Sequence, residues 1–331
     1  MSERRQTHAP LPQRAASALE AWAPDHRLLS AQHLTAGLAN TSFKLTLAAR
    51  QRPVVLKLYT RDPASLGRTL ALRRILPKDI PLPPLLHAQP DPAAHTGAFA
   101  VFDWVDGWPV DHLLGPDRPD DLPCPDRLAT ELGKDMGRLR ACLDQVGFDA
   151  SGFLDHSLAV ADPFKTQKEA VLGYIAQCLD GLAGQRLGET LRQEVERYVQ
   201  THHALLDPLE GQHRLVHGDY KGCNLLALHR QGQWRISAVL DWEFAFSGSP
   251  LFDFATALRR TTHQSADFAQ ALAQSYSAHG GMLPTRWFAT ARLLDLTNLC
   301  GFLQRPGLSA DRQRDIKALF QSYRTPSTQA V

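Results

Sequence analysis

One stretch in the second half of the chain carries three polar side chains at a spacing that a hairpin would bring together. Asp219 and Asn224 stand five positions apart, and Asn224 opens the apolar run 225–228. The polar segment 229–233 separates this run from a second apolar run, which Asp241 follows at once. Two apolar strands joined by a glycine-containing loop predict a β-hairpin, and its open end would place Asn224 beside Asp241.

These three groups suit the transfer of a phosphoryl group from ATP to a hydroxyl. Such a transfer needs an in-line hydroxyl, a carboxylate that accepts its proton, and Mg²⁺ held against the phosphates. Asp219 suits the proton-accepting role. Asn224 and Asp241 suit the metal, because Mg²⁺ prefers hard oxygen ligands and binds through one or two carboxylates plus substrate phosphates. We therefore predict ATP and Mg²⁺ as cofactors.

The same segment resembles the catalytic core of the aminoglycoside phosphotransferase and choline kinase-like superfamily, relatives of the protein kinases. The run His217-Gly218-Asp219 resembles the His-Arg-Asp motif of kinases, and Asp241-Trp242-Glu243 resembles their Asp-Phe-Gly motif. The glycine removes the arginine that would pair with a phosphorylated activation loop, so control by that route is not expected.

The resemblance assigns roles to three further residues. It implies that His217 supports the catalytic loop and that Asp253 braces this loop through backbone hydrogen bonds; a charge at a helix N-terminus is a second reading of Asp253. Lys221 stands where protein serine/threonine kinases carry a lysine that touches the transferred phosphate. We expect its charge to stabilise the phosphate in flight, with a solvated surface lysine as the alternative.

The resemblance also implies a two-lobed protein kinase-like fold of the α+β class. We expect residues 1–105 to form a nucleotide-binding lobe around a small antiparallel sheet, and residues 106–331 to form a larger, mostly helical lobe with the catalytic loop and the acceptor site. The pattern predicts strands at 33–36, 42–48, 53–59 and 98–105, no helix in the proline-rich segment 78–97, and helices near 64–76, 128–143, 164–183, 186–205, 250–260, 265–279, 283–304 and 309–324.

The third strand carries Lys57 in the middle of an apolar run, where an unpaired lysine is costly to bury. Val-Val-Leu-Lys-Leu resembles the lysine-bearing strand of kinases, so we expect Lys57 to bind the α- and β-phosphates and Val55 to line the adenine. The resemblance also implies a phosphate-covering loop and a hinge whose backbone reads the adenine edge. The residues expected there are Gly37, Asn40 and Thr41 in the loop, and Phe102, Asp103 and Trp104 in the hinge.

One feature departs from the family pattern. In related kinases the lysine pairs with a glutamate of the next helix, but the segment 64–76 contains no acidic residue, and Arg68 stands about where the glutamate would be. The partners left for Lys57 are Asp62, Asp241 or the phosphates alone.

Composition limits the other possibilities. The chain has 331 residues, 44% of them hydrophobic and 21% charged, which is ordinary for a globular protein with two lobes. Its apolar runs are too short for a membrane span, and its N-terminus does not look like a signal peptide. The five scattered cysteines predict reduced thiols in a cytoplasmic protein. No basic run with interleaved aromatic residues suggests nucleic acid as a partner. The oligomeric state is left open.

The acceptor is the least constrained part of the prediction. Residues 144–209 hold 10 Asp/Glu against 5 Lys/Arg, which favours a cationic acceptor. Aminoglycoside kinases often have an acidic C-terminal end, whereas 324–331 contains no acid, which weakens that assignment. An amino sugar, an amino alcohol, a sugar or an antibiotic therefore all remain open. The candidate acceptor residues are Asp149, Asp155, Asp162, Glu169 and Asp295.

The function predicted from the sequence is an ATP-dependent O-phosphotransferase that acts on a small molecule, with preference for ATP or GTP left open. The alternative is a nucleotide-binding pseudokinase that acts as a scaffold, because the helix glutamate is missing and the phosphate loop has one glycine. The intact set of Asp219, Asn224 and Asp241 argues against this alternative.

Overall fold

An antiparallel sheet with two helices forms the N-terminal part of the chain. The computed structural model describes residues 11–34, 40–48, 50–116, 118–119, 122, 124–259 and 266–324. The first elements are α1 (Gln13–Trp22), β1 (Leu28–Leu34), β2 (Thr41–Leu47), β3 (Val54–Leu58), α2 (Ser65–Ile75), β4 (Leu85–Gln89) and β5 (Phe99–Asp103). The five strands lie in the order β1-β2-β3-β5-β4, so β3 and its Lys57 occupy the middle of the sheet.

Alternation along β2 explains how this sheet buries one face. Phe43, Leu45 and Leu47 are buried and alternate with partly exposed neighbours, as expected of a strand with one face on a core. They pack in one cluster with Ala15 and Leu19 of α1. The small alanines of α1 let this helix lie close to the sheet.

The rest of the chain is mostly helical, with short strands that position the loops. Its elements are β6 (Trp108–Pro109), α3 (Val110–Leu113), α4 (Pro125–Leu143), β7 (Gly152–Leu154), β8 (Val160–Pro163), α5 (Gln167–Asp180), α6 (Leu182–Leu187), α7 (Glu189–His202), β9 (Arg214–Val216), β10 (Leu225–Arg230), β11 (Gln233–Val239), β12 (Phe246–Gly248), α8 (Leu251–Leu258), α9 (Ala266–Ala278), α10 (Trp287–Leu303) and α11 (Ala310–Arg324). One large hydrophobic core joins these helices to β9, β10 and β11.

The predicted hairpin is confirmed. Strands β10 and β11 pair antiparallel, with Leu225 opposite Val239. The N–H of Leu240 donates to the carbonyl of Asn224 at 2.8 Å, so the pairing continues to the open end. Asn224 and Asp241 therefore leave the hairpin side by side.

The predicted α+β class, with an antiparallel sheet followed by a mostly helical part, is confirmed, whereas several element bounds differ. Strand β1 begins at Leu28, earlier than predicted, and β4 lies in the segment for which only the absence of a helix was expected. The helix predicted at 186–205 is divided, because Gly188 has a φ of +80° and ends α6 before α7 begins. Within the described ranges no helix is both long enough and apolar enough to cross a membrane.

Candidate active site

The loop after β9 makes a sharp turn at Gly218. This residue has a φ of +79°, and a Cβ built there would lie 2.3 Å from the carbonyl oxygen of Phe244. Glycine is required on both counts, because other residues avoid positive φ and no side-chain atom fits against that carbonyl. The turn brings Asp219 against the segment that follows Asp241.

The buried ion pair between Asp253 and Arg140 fixes this loop. The carboxylate of Asp253, on α8, accepts the backbone N–H groups of His217 and Gly218, each at 3.0 Å. The same carboxylate accepts Arg140 Nη1 of α4 at 2.7 Å. Arg140 also donates to the carbonyl of Leu215 at 2.8 Å. Each buried charge therefore has partners, as burial requires, and the loop is fixed to two helices.

The imidazole of His217 ties the loop to the end of the hairpin. Its Nδ1 accepts the N–H of Asp219 at 3.2 Å, which leaves Nε2 protonated to donate to the carbonyl of Leu240 at 2.8 Å. The ring is buried and packs against Trp242 with 4.6 Å between ring centroids. His217 thus links the residues next to Asp219 and Asp241.

Asp219 stands between an amide and a lysine. Its Oδ2 accepts Asn224 Nδ2 at 2.8 Å and lies 2.8 Å from Lys221 Nζ. Asn224 Nδ2 also donates to the carbonyl of Asp219 at 2.9 Å, which fixes the amide orientation and leaves Oδ1 as its acceptor atom. No hydrogen bond to Asp219 Oδ1 occurs among the described residues.

Lys57 lies between two carboxylates. Its Nζ is 2.6 Å from Asp241 Oδ1 and 2.7 Å from Glu243 Oε2, and its side chain is only 10% exposed. Asp241 has a φ of +61°, and the short 3-10 turn Trp242–Phe244 that follows brings Glu243 back toward the same lysine. Of the partners considered for Lys57, Asp241 makes contact and Asp62 does not.

The charges of this triad act on one another. Burial lowers the pKa of Lys57, but Asp241, Tyr59 and Glu243 outweigh it and hold the pKa above its usual value. Burial raises the pKa of Glu243, and the neighbouring Asp241 carboxylate raises it further. Burial also opposes ionisation of Asp241, yet the charge of Lys57 holds its pKa below the usual value. Asp241 is therefore the more strongly ionised acid of the two.

Glu243 is the residue that sequence reasoning missed. Its second oxygen, Oε1, accepts Asn40 Nδ2 at 3.0 Å, so the glutamate links Lys57 to the end of the predicted phosphate loop. A signal was present, because a buried lysine needs an acid and 21–130 contains no glutamate. The glutamate two positions after Asp241 was the available candidate.

Arg68 binds backbone carbonyls of two separate segments. Its Nη2 donates to the carbonyl of Glu243 at 2.6 Å, and its Nη1 donates to the carbonyl of Leu154 at 2.7 Å. Asp62 lies 3.4 Å from the same guanidinium. Helix α2 thus contributes an arginine that holds the backbone after Asp241.

A cavity of about 480 Å³ connects these groups. Of the predicted nucleotide-binding residues, Lys57 and Asn40 line it together with all the predicted metal ligands, whereas Val55, Thr41, Phe102, Asp103 and Trp104 do not. Gly37 lies outside the described residues.

Two backbone N–H groups of the predicted hinge already have partners in the sheet. The N–H of Asp103 donates to the carbonyl of Pro84 at 2.9 Å, and the N–H of Trp104 donates to the carbonyl of Pro53 at 3.1 Å. These two donors serve the sheet, because the neighbouring segments continue alongside β5, and they are not available to an adenine edge. The side chain of Asp103 is bound by Arg50 at 2.8 Å.

The predicted acidic acceptor residues lie outside the cavity. None of Asp149, Asp155, Asp162, Glu169 and Asp295 lines the cavity. Asp295 is fully buried, where its carboxylate accepts Arg259 Nε at 2.9 and 3.0 Å and Tyr323 Oη at 2.7 Å. Asp155 accepts N–H groups of its own turn, and Glu169 pairs with Lys165 at 3.0 Å on the surface. A net acidic segment did not imply acids facing the site.

The donor set fits Mg²⁺. The oriented Oδ1 of Asn224 and the carboxylate of Asp241 supply hard oxygen ligands at one end of the cavity. No cluster of three or more His, Cys, Asp or Glu side chains suited to a metal occurs in the part of the chain that the structure describes. This arrangement suits a metal that takes its remaining ligands from phosphates and water.

Comparison with known proteins agrees with this geometry. Residues 30–288 match the model of the phosphotransferase enzyme family. No curated protein matches the chain significantly. Among solved structures, APH(2″)-IIIa in complex with GDP and kanamycin is 15% identical with a TM-score of 0.72, covering 93% of this chain and 97% of that one.

Two further solved structures have the same fold. A thermostable mutant of the aminoglycoside phosphotransferase APH(4)-Ia, with AMP-PNP and hygromycin B, is 15% identical with a TM-score of 0.67, covering 96% of this chain and 100% of that one. A putative aminoglycoside phosphotransferase from Ralstonia eutropha JMP134 is 18% identical with a TM-score of 0.63, covering 93% and 97%. At these identities the likeness concerns the fold.

Proposed function

The chain belongs to the phosphotransferase enzyme family, and we propose that it transfers the γ-phosphate of ATP to a hydroxyl group of a small molecule. The observation that carries this proposal is the convergence of Asp219, Asn224, Asp241 and Lys57 on one cavity. These groups supply a proton acceptor, two oxygen ligands and a phosphate-binding cation.

Asp219 accepts the proton of the acceptor hydroxyl or orients it. Its Oδ2 is occupied by Lys221 and Asn224, so Oδ1 is the atom left for the hydroxyl. His217 and Asp253 keep the loop in place through the contacts described above. A fixed carboxylate next to the cavity lowers the entropic cost of aligning the hydroxyl.

Asn224 and Asp241 would hold Mg²⁺, which would neutralise charge on the transferring phosphate. With Asp241 bound to the metal, Glu243 would keep Lys57 paired, because it contacts Nζ independently at 2.7 Å. Lys57 is then positioned to bind the α- and β-phosphates, and Lys221 to stabilise charge on the group in flight.

The test is ADP release from Mg-ATP or Mg-GTP, with a panel of amino sugars, amino alcohols, sugars and hydroxy acids as acceptors. We expect Asp219→Asn to lower acceptor-stimulated kcat by roughly 10²- to 10⁴-fold without weakening nucleotide binding. Asp162→Asn, an exposed acid outside the cavity, is the matched control. Equal turnover by Asp219→Asn and wild type would contradict the proposal.

Lys221→Ala tests the second cation in the same assay. We expect roughly a 10-fold loss of kcat with an unchanged KM for ATP, because the charge acts on the transferred group. An unchanged kcat would assign Lys221 only to the ion pair with Asp219.

The pseudokinase alternative loses one of the two observations that motivated it, the missing helix glutamate. The carboxylate missing from α2 is supplied by Glu243, so Lys57 is paired after all. ATP binding that is independent of Mg²⁺, with no turnover for any acceptor, is the result that would support the scaffold.

A further inference from the structure

One wall of the cavity is apolar and basic. It is built by α10, α11 and the turn between them, and its apolar lining consists of Leu299, Phe302, Leu308, Ile316 and Leu319. Arg305 and Arg312 line the same wall. Asp219 lines the same cavity, so an acceptor bound beside it can contact this surface.

Arg305 lines this wall, and among the described residues it has no acidic partner. The guanidinium of Arg186 donates to the carbonyls of Leu303 and Arg305, at 2.6 and 2.7 Å, which fixes the turn after α10. The guanidinium of Arg305 lies over the ring of Phe302, 4.8 Å from its centroid. No carboxylate lies within 4.0 Å of it among the described residues.

The charges around Arg305 favour the binding of an anion by its guanidinium group. Burial lowers its pKa, and the charges of Arg61 and Arg312 lower it further, whereas Asp219 acts in the opposite direction. A partly desolvated guanidinium among like charges gains most from a negatively charged ligand, which it binds through two parallel N–H donors.

The acids near this wall do not offset these charges. Arg259 has its own counter-ion in the buried Asp295. Apart from Asp219, Asp241 and Glu243, the described acids of the cavity are Asp111, which lies against Gly222 on the catalytic-loop side, and Asp315. Of these, Asp315 belongs to α11 beside the two arginines, so the described part of this wall carries a net positive charge. A polycationic acceptor would be repelled by it.

We propose that the acceptor is a hydroxylated molecule with an apolar body and an anionic group, a carboxylate or a phosphate, which Arg305 and Arg312 bind. The apolar body packs on Phe302 and its neighbours, and its hydroxyl reaches Asp219. This inference rests on the proposed phosphotransfer and specifies its substrate class.

Binding is measured first, by calorimetry on the full chain with Mg-AMP-PNP present. The probes share one apolar body: 3-hydroxyoctanoate, 3-hydroxyoctyl phosphate, the methyl ester of the acid, and 1-aminooctan-3-ol. We expect the acid or the phosphate, or both, to bind more tightly than the ester by roughly 10-fold or more, and the amine to bind least. The acid and phosphate arms distinguish the two anions.

Arg305→Gln and Arg312→Gln test the residues, and Arg314→Gln is the matched control. Arg314 lies on α11, as Arg312 does. It is exposed and pairs with Asp311 outside the cavity. We expect Arg305→Gln to weaken anion binding roughly 10- to 100-fold and to leave the affinity for Mg-AMP-PNP within twofold. Arg314→Gln should match wild type for every probe.

The proposal is overturned if neither anion binds wild type at about 1 mM, if the amine binds better than the acid, or if Arg305→Gln weakens the nucleotide instead of the anion. Failure of the proposed function looks different. In that case Asp219→Asn releases ADP as fast as wild type with every acceptor, whatever the probes bind.

Discussion

Glu243→Gln isolates the ion pair that the sequence did not reveal. The substitution removes the charge and keeps an oxygen that accepts a hydrogen bond from Lys57. In the free protein Lys57 retains Asp241 at 2.6 Å, so the folded state loses one of two acids and keeps a neutral pair. In the proposed nucleotide complex Asp241 would bind Mg²⁺, and Lys57 would then depend on Glu243. We therefore expect the effect to appear in catalysis more than in stability.

The size of the effect follows from the distance. At 2.7 Å and an effective dielectric constant of 20, the attraction between Lys57 and Glu243 is about 6 kcal/mol before desolvation. Desolvation of each ion opposes several kcal/mol of this, and glutamine keeps part of the hydrogen bond. A net loss of about 1–2 kcal/mol corresponds to a kcat/KM for ATP that is roughly 5- to 30-fold lower.

The assay combines steady-state kinetics with a double-mutant cycle. Lys57→Met, Glu243→Gln and the double variant are compared, because two residues that act as one pair give non-additive losses. Glu169→Gln, an exposed acid outside the cavity, is the control. Wild-type kcat/KM in Glu243→Gln, or strictly additive losses in the cycle, would refute the pairing in the working enzyme.

The same variant changes how stability depends on pH. The pKa of Glu243 is raised from 4.5, so the folded chain holds this proton more tightly than the unfolded chain. Between 4.5 and the folded pKa, wild type therefore loses stability as the pH rises, and Glu243→Gln lacks this contribution. We expect the Tm of wild type relative to the variant to fall as the pH rises above 4.5. A constant difference would contradict the raised pKa.

Three other predictions test the loop and its surroundings. Gly218→Ala should lower kcat by roughly 10-fold or more, because its Cβ would meet the Phe244 carbonyl at 2.3 Å and positive φ is strained; wild-type turnover would show that the turn adapts. Asp253→Asn should reduce the free energy of unfolding by about 3 kcal/mol, since Arg140 loses a buried partner, and urea unfolding measures this. Burial raises the pKa of Cys223 to about 11, so iodoacetamide should label it slowly at about pH 8; rapid labelling would contradict this.

The hairpin could be predicted from the sequence because its determinants are local. The two apolar runs and the glycine at the tip lie within one segment, and the strands pair antiparallel with a register shift between Leu226 and Ala227. Strands β2 and β3 were predicted for the same reason, since each is a local apolar run. Strand β4 was not predicted, because the prolines that flank it exclude a helix without specifying the partner strand, which is β5.

Contacts between distant segments were beyond the sequence. Lys57 and Glu243 are 186 positions apart, so the sequence indicates that the buried lysine needs an acid without fixing which acid contacts it. The predicted acceptor residues lie outside the cavity for a related reason. The net charge of 144–209 does not identify which of its carboxylates face a cavity. The acids predicted from this segment lie on the surface or bind N–H groups of their own turns. The arginines that line the cavity lie in segments for which the sequence predicted only helices and the connection between them.

The position of the acid determines which element controls Lys57. A glutamate on α2 would tie the lysine to the placement of that helix, whereas Glu243 ties it to the hairpin that also delivers Asp241. Helix α2 acts on the same loop through Arg68, which binds the carbonyl of Glu243 at 2.6 Å and leaves its carboxylate to Lys57. The lysine and the predicted metal ligands are thereby set by one hairpin and the loop that follows it. An acid missing from α2 consequently leaves Lys57 paired, because Glu243 supplies the carboxylate from the turn that follows the hairpin.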